Sequence, residues 1–588
     1  MKSSDLKFWK KKSSLIYWKK KPKKIFQIQK NNFFYEDGKT NIAYNCIKKN
    51  INEGRGDKIA LILLDQNNQK KILTFNELEN LVNHFINYIF SNFKDKKIFD
   101  YPVAIHSSAN LCSVVSMLAC MKLGVPHCVI FDDLSKEAIE IRCKLINCKL
   151  FITSTNEKDY KKKIIQIKKK LGIKVIRFSN LPEKKLIINM DNFYEKKKLS
   201  SYYKYKFVSS NHKSFILFTS GSTGEPKGIV HSTGGYLVYS KYTCIEKFNI
   251  TKKSIILTAS DAGWINGHTY ALYGPLSLGA TTIILEKPLS LLDQNVLKKV
   301  LKDFKVNILY LPVTLIRLIK ALKNQINIKS KYLKLLGSMG EPLSKFVGSW
   351  FCKKFSNKKL QIVNTYFQTE TGGIISSPSY KDTLSKVPFG TVGKPITKKL
   401  GVFLKKNKSE IKIAKPWPGC LIDVINNKKL FYDYWDEKKR FRLFDLASID
   451  ENNNFIIHGR VDDVINISGH RIGSAEIESV ILKLNYVKEV CAVSVDDELS
   501  GKKLIIFLVS KRKNISKNID DIILRNFGSY AIPEKIIFLS ELPKTRSGKI
   551  LRRVLRDIFM SPNTKKIGDI STILNYGVIS EIRKAVKN

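Results

Sequence analysis

Apolar runs that stop abruptly at polar, glycine-bearing turns recur along this chain, and they constrain its fold more than any other feature. FILF at residues 215–218 gives way to TSGSTGEPKG, KLLG at 334–337 to SMGEP, and LQIV at 360–363 to NTYFQTETGG. Between such runs lie longer apolar segments. VAIHSSANLCSVVSMLACMKLG (103–124) reads as strand, turn and buried helix, with a further strand expected in VPHCVIF. VNILYLPVTLIRLIKAL (306–322) reads as a strand followed by a helix opened at Pro312. Strands alternating with helices predict an α/β architecture, with functional loops at the carboxyl ends of the strands.

Near residue 460 the texture changes. GRVDDVINISGHRIGSAEIESVILKL (459–484) gives a charged turn, a short strand, a glycine-rich turn and a helix starting near Ser474. A chain of 588 residues exceeds one ordinary core. The expected division is a large α/β domain over 1–461 and a small α+β domain over 462–588. The small domain carries one more Gly/Ser/Lys loop, LPKTRSGKILRR (542–553).

Composition removes several classes. Hydrophobic residues make up 43% of the chain, which argues against general disorder. Uninterrupted apolar runs of membrane-spanning length are absent from the sequence. The ten cysteines form no CxxC pair, so neither a zinc site nor a disulfide framework is expected, and a reducing compartment fits. The formal charge is +52, but lysine is spread from end to end alongside Asn and Ile, as an A/T-rich genome would produce. A nucleic-acid binder would gather that charge on one stripe or tail. The basic N-terminus lacks an apolar secretory core.

The loop FTSGSTGEPKGIV (218–230) is the sharpest chemical signal. Its glycines let backbone N–H groups converge, its hydroxyls add donors and Lys227 adds charge, a combination suited to phosphate. It is not the GxxxxGK[ST] loop, because Pro226 precedes Lys227 and Gly228 follows it.

Five loops taken in order, FTSGSTGEPKGIVHSTGG, GSMGEP, VNTYFQTETGG, GRVDDVINISGHRIG and LPKTRSGK, resemble the motifs of the adenylate-forming enzymes. Within that superfamily DAGWINGHTYALYGPLSLGATT, HSTGGYLVY and both ends of the chain resemble the acetyl-CoA synthetases. The likeness runs from about Lys7, leaving no room for a cleaved presequence, and a cytoplasmic enzyme is expected. The fold implied is a large N-terminal α/β domain with a small mobile C-terminal domain. The reaction implied is ligation of acetate to coenzyme A through acetyl-adenylate, with ATP, CoA and Mg2+ required and AMP and pyrophosphate released.

The resemblance also implies residue roles. Ser220, Gly221, Thr223, Gly224 and Lys227 belong to the loop over the β- and γ-phosphates. Gly340, Glu341 and Pro342, with Asn364, Thr365, Tyr366, Phe367, Gln368 and Thr369, match nucleotide-contacting segments. Glu370 matches the magnesium ligand, Asp445 the ribose-binding carboxylate, and Arg460 and Arg471 nucleotide-contacting arginines. Lys549 matches the catalytic lysine of adenylation, and Asp462 the hinge. Asn266, Ser468, Gly469, Arg525 and Lys161, Lys162 and Lys163 match CoA-binding positions, with Trp264 beside the tunnel. By composition alone, Trp264 is more often a core aromatic. Ile265, Asn266, Met339 and Phe367 would wall the acyl pocket.

Some positions depart from the family. Phe444 replaces the glycine before Asp445, so the backbone there is expected to lie differently, with a charge-assisted hydrogen bond of about 1.5–3 kcal/mol at stake. A CoA-contacting arginine falls at Leu524, one residue before Arg525. The arginine-rich phosphate loop has become DYKKKI, whose lysines act as point charges and not as bidentate forks. A histidine tied to a structural metal falls at Leu484. The rival readings are a synthetase for propionate or another short acid, a nucleotide-binding relative without turnover, and a nucleic-acid binder. No specific nucleic-acid partner and no membrane insertion are expected.

Overall fold

The computed structural model describes residues 2–27, 33–179, 186–195, 202–220, 226–322, 328–356, 360–404, 409–425, 427–461, 464–467, 470–497, 501–527, 529–545, 548–564, 567, 570 and 573–587. Two large sheets form its centre. One has eight strands in the order Ile187–Asn189, Lys174–Ser179, Leu150–Thr153, Val103–His106, His127–Ile130, Lys213–Ser220, Pro226–Ser232, Asp423–Val424. Its first six strands run parallel, and its last two pairings are antiparallel. The other has seven, Ile362–Asn364, Leu335–Met339, Ile308–Pro312, Ile255–Thr258, Thr281–Leu285, Ile59–Leu64, Lys70–Thr74, and only the last pair is antiparallel.

The helix Leu111–Leu123 shows how the sequence builds this interior. Every residue from 111 to 122 is buried, Lys122 included, so the helix is apolar all round and not on one stripe. Asn110 accepts the Ser113 N–H at its start, and Gly124, at φ +64°, ends it in the left-handed conformation. Lys122 is tolerated because its Nζ donates to Asn83 at 2.7 Å and faces Glu79 at 3.6 Å. The strands and helices read from residues 103–131 and 306–322 fall where they were expected, including the helix Val313–Ala321 behind Pro312.

The strand–helix alternation does not continue to residue 460. From 402 the chain forms a four-stranded antiparallel sheet, Val402–Phe403, Ser409–Ile413, Phe441–Ile449 and Phe455–Arg460, with one short helix, Lys428–Asp433. Beyond it come a two-stranded ribbon, Val464–Ile467 with His470–Gly473, the helix Ser474–Ile481, and a three-stranded sheet, Val487–Asp497, Gly501–Ser510 and Lys535–Phe538. Among the described residues the apolar clusters of the large sheets draw on positions 9 to 455. Those of the C-terminal sheet draw on 477 to 582.

Candidate active site

The carboxyl ends of Ile308–Pro312, Leu335–Met339 and Ile362–Asn364 open into a cavity of about 1650 Å³. The antiparallel sheet and the 544–554 loop close its other side. Crossing from strand to loop here exposes side chains that a strand interior would bury, and this is why the polar turns after Leu335–Met339 and Ile362–Asn364 meet.

The turn after Ile362–Asn364 is rigidly held. His231 Nε2 donates to the Thr369 carbonyl at 2.8 Å, Trp417 Nε1 to the Thr371 carbonyl at 3.1 Å, and Leu421 N–H to the Glu370 carbonyl at 2.9 Å. The Glu370 carboxylate lines the cavity, and its Oε1 accepts the Tyr434 hydroxyl at 2.7 Å. Behind the turn the buried imidazoles of His127 and His268 stack, with Nε2 atoms 3.3 Å apart. Burial holds all three histidines neutral, pushing His231 down to about 4 and His268 to about 3.

Asp445 stands opposite, on the strand Phe441–Ile449. Its Oδ2 accepts the Tyr366 hydroxyl at 2.7 Å and the Gln368 amide at 2.5 Å, while Arg460 lies 3.6 Å from Oδ1. Burial raises its pKa, opposed by Arg460, by these two hydrogen bonds and by the charge of Lys549. Phe444 precedes it at φ +53°. The backbone there takes the left-handed conformation, which glycine adopts freely and other residues rarely. The Phe444 ring packs edge-on to Tyr434 at 5.9 Å, with the Arg442 guanidinium 4.4 Å and that of Arg460 5.7 Å from its centre.

Lys549 enters on a loop docked by Gly548. The Gly548 carbonyl accepts the Thr314 hydroxyl at 3.3 Å. Gly548 sits at φ +83°, and a Cβ there would fall 2.4 Å from Thr314 Cγ2. Thr314 Oγ1 also lies 3.2 Å from Glu341 Oε1, so its one proton is shared between the two acceptors, and Glu341 is paired with Arg317 at 2.8 Å. Thr314 and Arg317 stand three apart on Val313–Ala321 and so share a face. That spacing behind Pro312 was a signal present in the sequence and not used. Tyr434 had no local signal, because it reaches Glu370 from 64 residues away.

Lys227, Gly340, Glu341, Pro342, Thr365, Tyr366, Phe367, Gln368 and Thr369 line the same cavity, as do Trp264, Ile265, Asn266 and Met339. Trp264 is half-buried, its ring 5.1 Å from that of Phe131. Asn364 is a correction. It is turned away from the cavity, with its amide bound to Ser338 and to the Thr391 carbonyl, and holds neighbouring segments together. Lys161, Lys162 and Lys163 do not line the cavity either. Lys161 pairs with Glu157, and Lys163 donates to the Leu134 carbonyl, one loop away from Trp264. Arg525 is exposed on the helix Ser516–Phe527, outside the cavity. Gly221, Thr223, Gly224, Asp462, Ser468 and Gly469 lie outside the described residues, and Ser220 and Arg471 are described only in their backbone.

A family model for AMP-binding enzymes matches residues 48–415. The chain belongs to the AMP-binding enzyme family. The model for the C-terminal domain of AMP-binding enzymes matches 476–549, and that for the N-terminus of acetyl-coenzyme A synthetase matches 3–46. Acetyl-coenzyme A synthetase of Helicobacter pylori (strain G27) is 32% identical over 92% of this chain and 87% of its own length. Acetyl-coenzyme A synthetase 2 of Kluyveromyces lactis is 33% identical over 90% and 83%. Among solved structures, acetoacetyl-CoA synthetase from Streptomyces lividans superimposes with a TM-score of 0.83 over 99% of this chain and 92% of that one. At 16% identity this likeness shows the fold of an AMP-binding enzyme.

Proposed function

We infer that this AMP-binding enzyme is an acetate–CoA ligase that forms AMP. One observation carries the reading: Lys549, Asp445 and Glu370, drawn from distant parts of the chain, face a single cavity whose wall includes Ile265, Met339 and Phe367. Asp445 holds the ribose hydroxyls, and Tyr366 and Gln368 fix its carboxylate for that task. Lys227 and the glycine-rich loop balance the β- and γ-phosphates, while Arg460 and Arg471 contact the nucleotide. Lys549 bridges the acyl carboxylate and the nucleotide, drawing two anions together as the carboxylate oxygen attacks the α-phosphorus and pyrophosphate leaves.

The donor set suits Mg2+. Glu370 offers a hard carboxylate already oriented by Tyr434, and Mg2+ is typically held by one or two carboxylates together with substrate phosphates. Bound there, the ion would neutralise phosphate charge. For thioester formation the 462–588 domain turns about Asp462, withdrawing Lys549 and bringing Ser468 and Gly469 to the pantetheine tunnel beside Trp264. The exposed Lys161, Lys162 and Arg525, with the half-buried Lys163, then meet the CoA phosphates. We propose a cytoplasmic location; ten free cysteines, nine of them buried, support a reducing compartment. Among the described residues no helix is long and apolar enough to cross a membrane.

The reading is tested by ATP-dependent pyrophosphate release with acids of two to six carbons. Acetate is expected to have the highest kcat/KM of these alkyl acids, with propionate weaker and butyrate poor. Phe367 and Met339 both stand in the wall that would meet the alkyl chain. A methylene is worth only about 1–3 kcal/mol in such a pocket. A preference for butyrate would overturn the acyl-pocket assignment.

A further inference from the structure

Asn266 follows Trp264 and Ile265 into the cavity wall and is 5% exposed. Ser260, Asp261 and Thr365 also line the cavity, while the other residues of the acyl wall, Ile265, Met339 and Phe367, are apolar. Ile265 and Met339 are buried, and Phe367 packs edge-on to Tyr270 at 5.5 Å. Among the described residues neither Oδ1 nor Nδ2 of Asn266 has a hydrogen-bond partner, and both atoms are shielded from solvent. The same holds for Nε1 of Trp264 two residues earlier. A buried amide left unpaired is destabilising, and an apolar side chain of similar size would line an alkyl pocket without that penalty.

An amide oxygen accepts and an amide nitrogen donates. The methyl of acetate or the ethyl of propionate satisfies neither. A hydroxyl satisfies both, because its O–H donates to Oδ1 while its oxygen accepts from Nδ2. We propose that the acyl pocket also takes short acids carrying a hydroxyl, such as glycolate, and that Asn266 selects them. This rests on the acyl-pocket reading above. The chemistry balances as for acetate. The carboxylate oxygen bonds to the α-phosphorus as pyrophosphate leaves. The CoA sulfur then bonds to the carbonyl carbon as AMP leaves, the thiol proton passing to water. The hydroxyl is a spectator held by the amide, which turns toward the cavity to meet it.

Glycolate and propionate are nearly equal in size, so the ratio of their kcat/KM values isolates the hydroxyl. The test measures that ratio for the full-length protein and for Asn266→Leu, at saturating ATP and CoA, with acetate in parallel. The different acid strengths cancel when the variant is compared with the wild type. The wild type should use glycolate at least as well as propionate, and the ratio should fall about 10- to 100-fold in the variant. Glycolate refused by the wild type, or a ratio that changes less than threefold, overturns the proposal. So does a raised KM for CoA at an unchanged ratio, which would assign the amide to pantetheine. If Asn266→Leu fails to fold, Asn266→Ala is held to the same threshold. Acetate turned over beside a flat ratio removes only this proposal, whereas failure of every acid removes the function as well.

Discussion

The turn carrying Glu370 and the loop carrying Lys549 face one cavity, yet they are held there by different means. The turn of Glu370 is fixed by donors from three separate segments, His231 to Thr369, Trp417 to Thr371 and Tyr434 to Glu370 itself, all buried. Lys549 is exposed to the cavity, and its loop meets the large sheets through Gly548 and Thr314. The first arrangement is part of a core. The second is a small contact between the loop and one helix, which the proposed turn of the small domain between half-reactions would have to release. Lys549→Ala should therefore have the largest effect, slowing acetate-dependent pyrophosphate exchange by about a thousandfold or more. Thioester formation from supplied acetyl-adenylate should stay within a few-fold of normal. Equal loss of both half-reactions would abolish the contrast between the two regions.

The core side should break with pH. His231 has its pKa lowered to about 4 from an ordinary 6.5, with His268 and His127 shifted in the same direction. A lowered imidazole pKa contributes stability that is fully present above 6.5 and lost as pH falls toward 4, on the order of 3 kcal/mol for His231. The urea midpoint should drop through that window. His231→Gln, which can still donate to the Thr369 carbonyl without titrating, should flatten the slope. A midpoint indifferent to pH between 6.5 and 4 would show that the histidine cluster is not locked neutral.

Gly548→Ala sharpens the docking side. A methyl 2.4 Å from Thr314, added to a left-handed backbone, should prevent the loop from seating. Adenylation should fall about a hundredfold, and thioester formation from acetyl-adenylate should be spared. Restoration by Thr314→Gly in the same chain would tie the loss to this contact.

Legibility divides along a similar line. The parallel strands and the buried helix at Leu111–Leu123 could be read because their signals are local: apolar runs, Asn110 as a cap, Gly124 as a stop. The site loops were legible for the same reason, each motif being contiguous. The antiparallel sheet at 402–460 was not, because short strands paired across bulges and loops leave no periodic pattern. Nor was the inward turn of Asn364, which lies within the same motif as six cavity-lining neighbours. Tyr434 and Arg317 act on motif residues from outside the motifs, and only the folded chain brings them there.

Tyr434→Phe follows from that placement. It removes one hydrogen bond from Glu370 while keeping the ring that packs on Phe441 and Phe444. The expected change is about tenfold in kcat for adenylation, with a higher Mg2+ concentration needed for half-maximal rate and an unchanged urea midpoint. A purely structural role would instead move the midpoint and leave the Mg2+ dependence alone.

The smallest effect is expected at Phe444, where backbone and side chain pull in opposite directions. At φ +53° a non-glycine residue carries strain on the order of 1 kcal/mol, which glycine would relieve. The ring offsets it through Tyr434 and the two guanidinium groups, each contact worth about 0.5–1 kcal/mol. Phe444→Ala keeps the strain and loses the ring. Phe444→Gly loses both, and it gives back part of the gain through the greater freedom of glycine in the unfolded chain. The glycine variant should thus be the more stable of the two by up to about 1 kcal/mol, read from urea midpoints, the reverse of the order found in ordinary strand or helix positions. The KM for ATP should move less than about threefold in Phe444→Gly, because Tyr366 and Gln368 hold Asp445 independently of the residue before it. A larger fall would mean that the phenylalanine does hold the carboxylate back from the ribose, and that this wall of the site is less finished than the turn that carries Glu370.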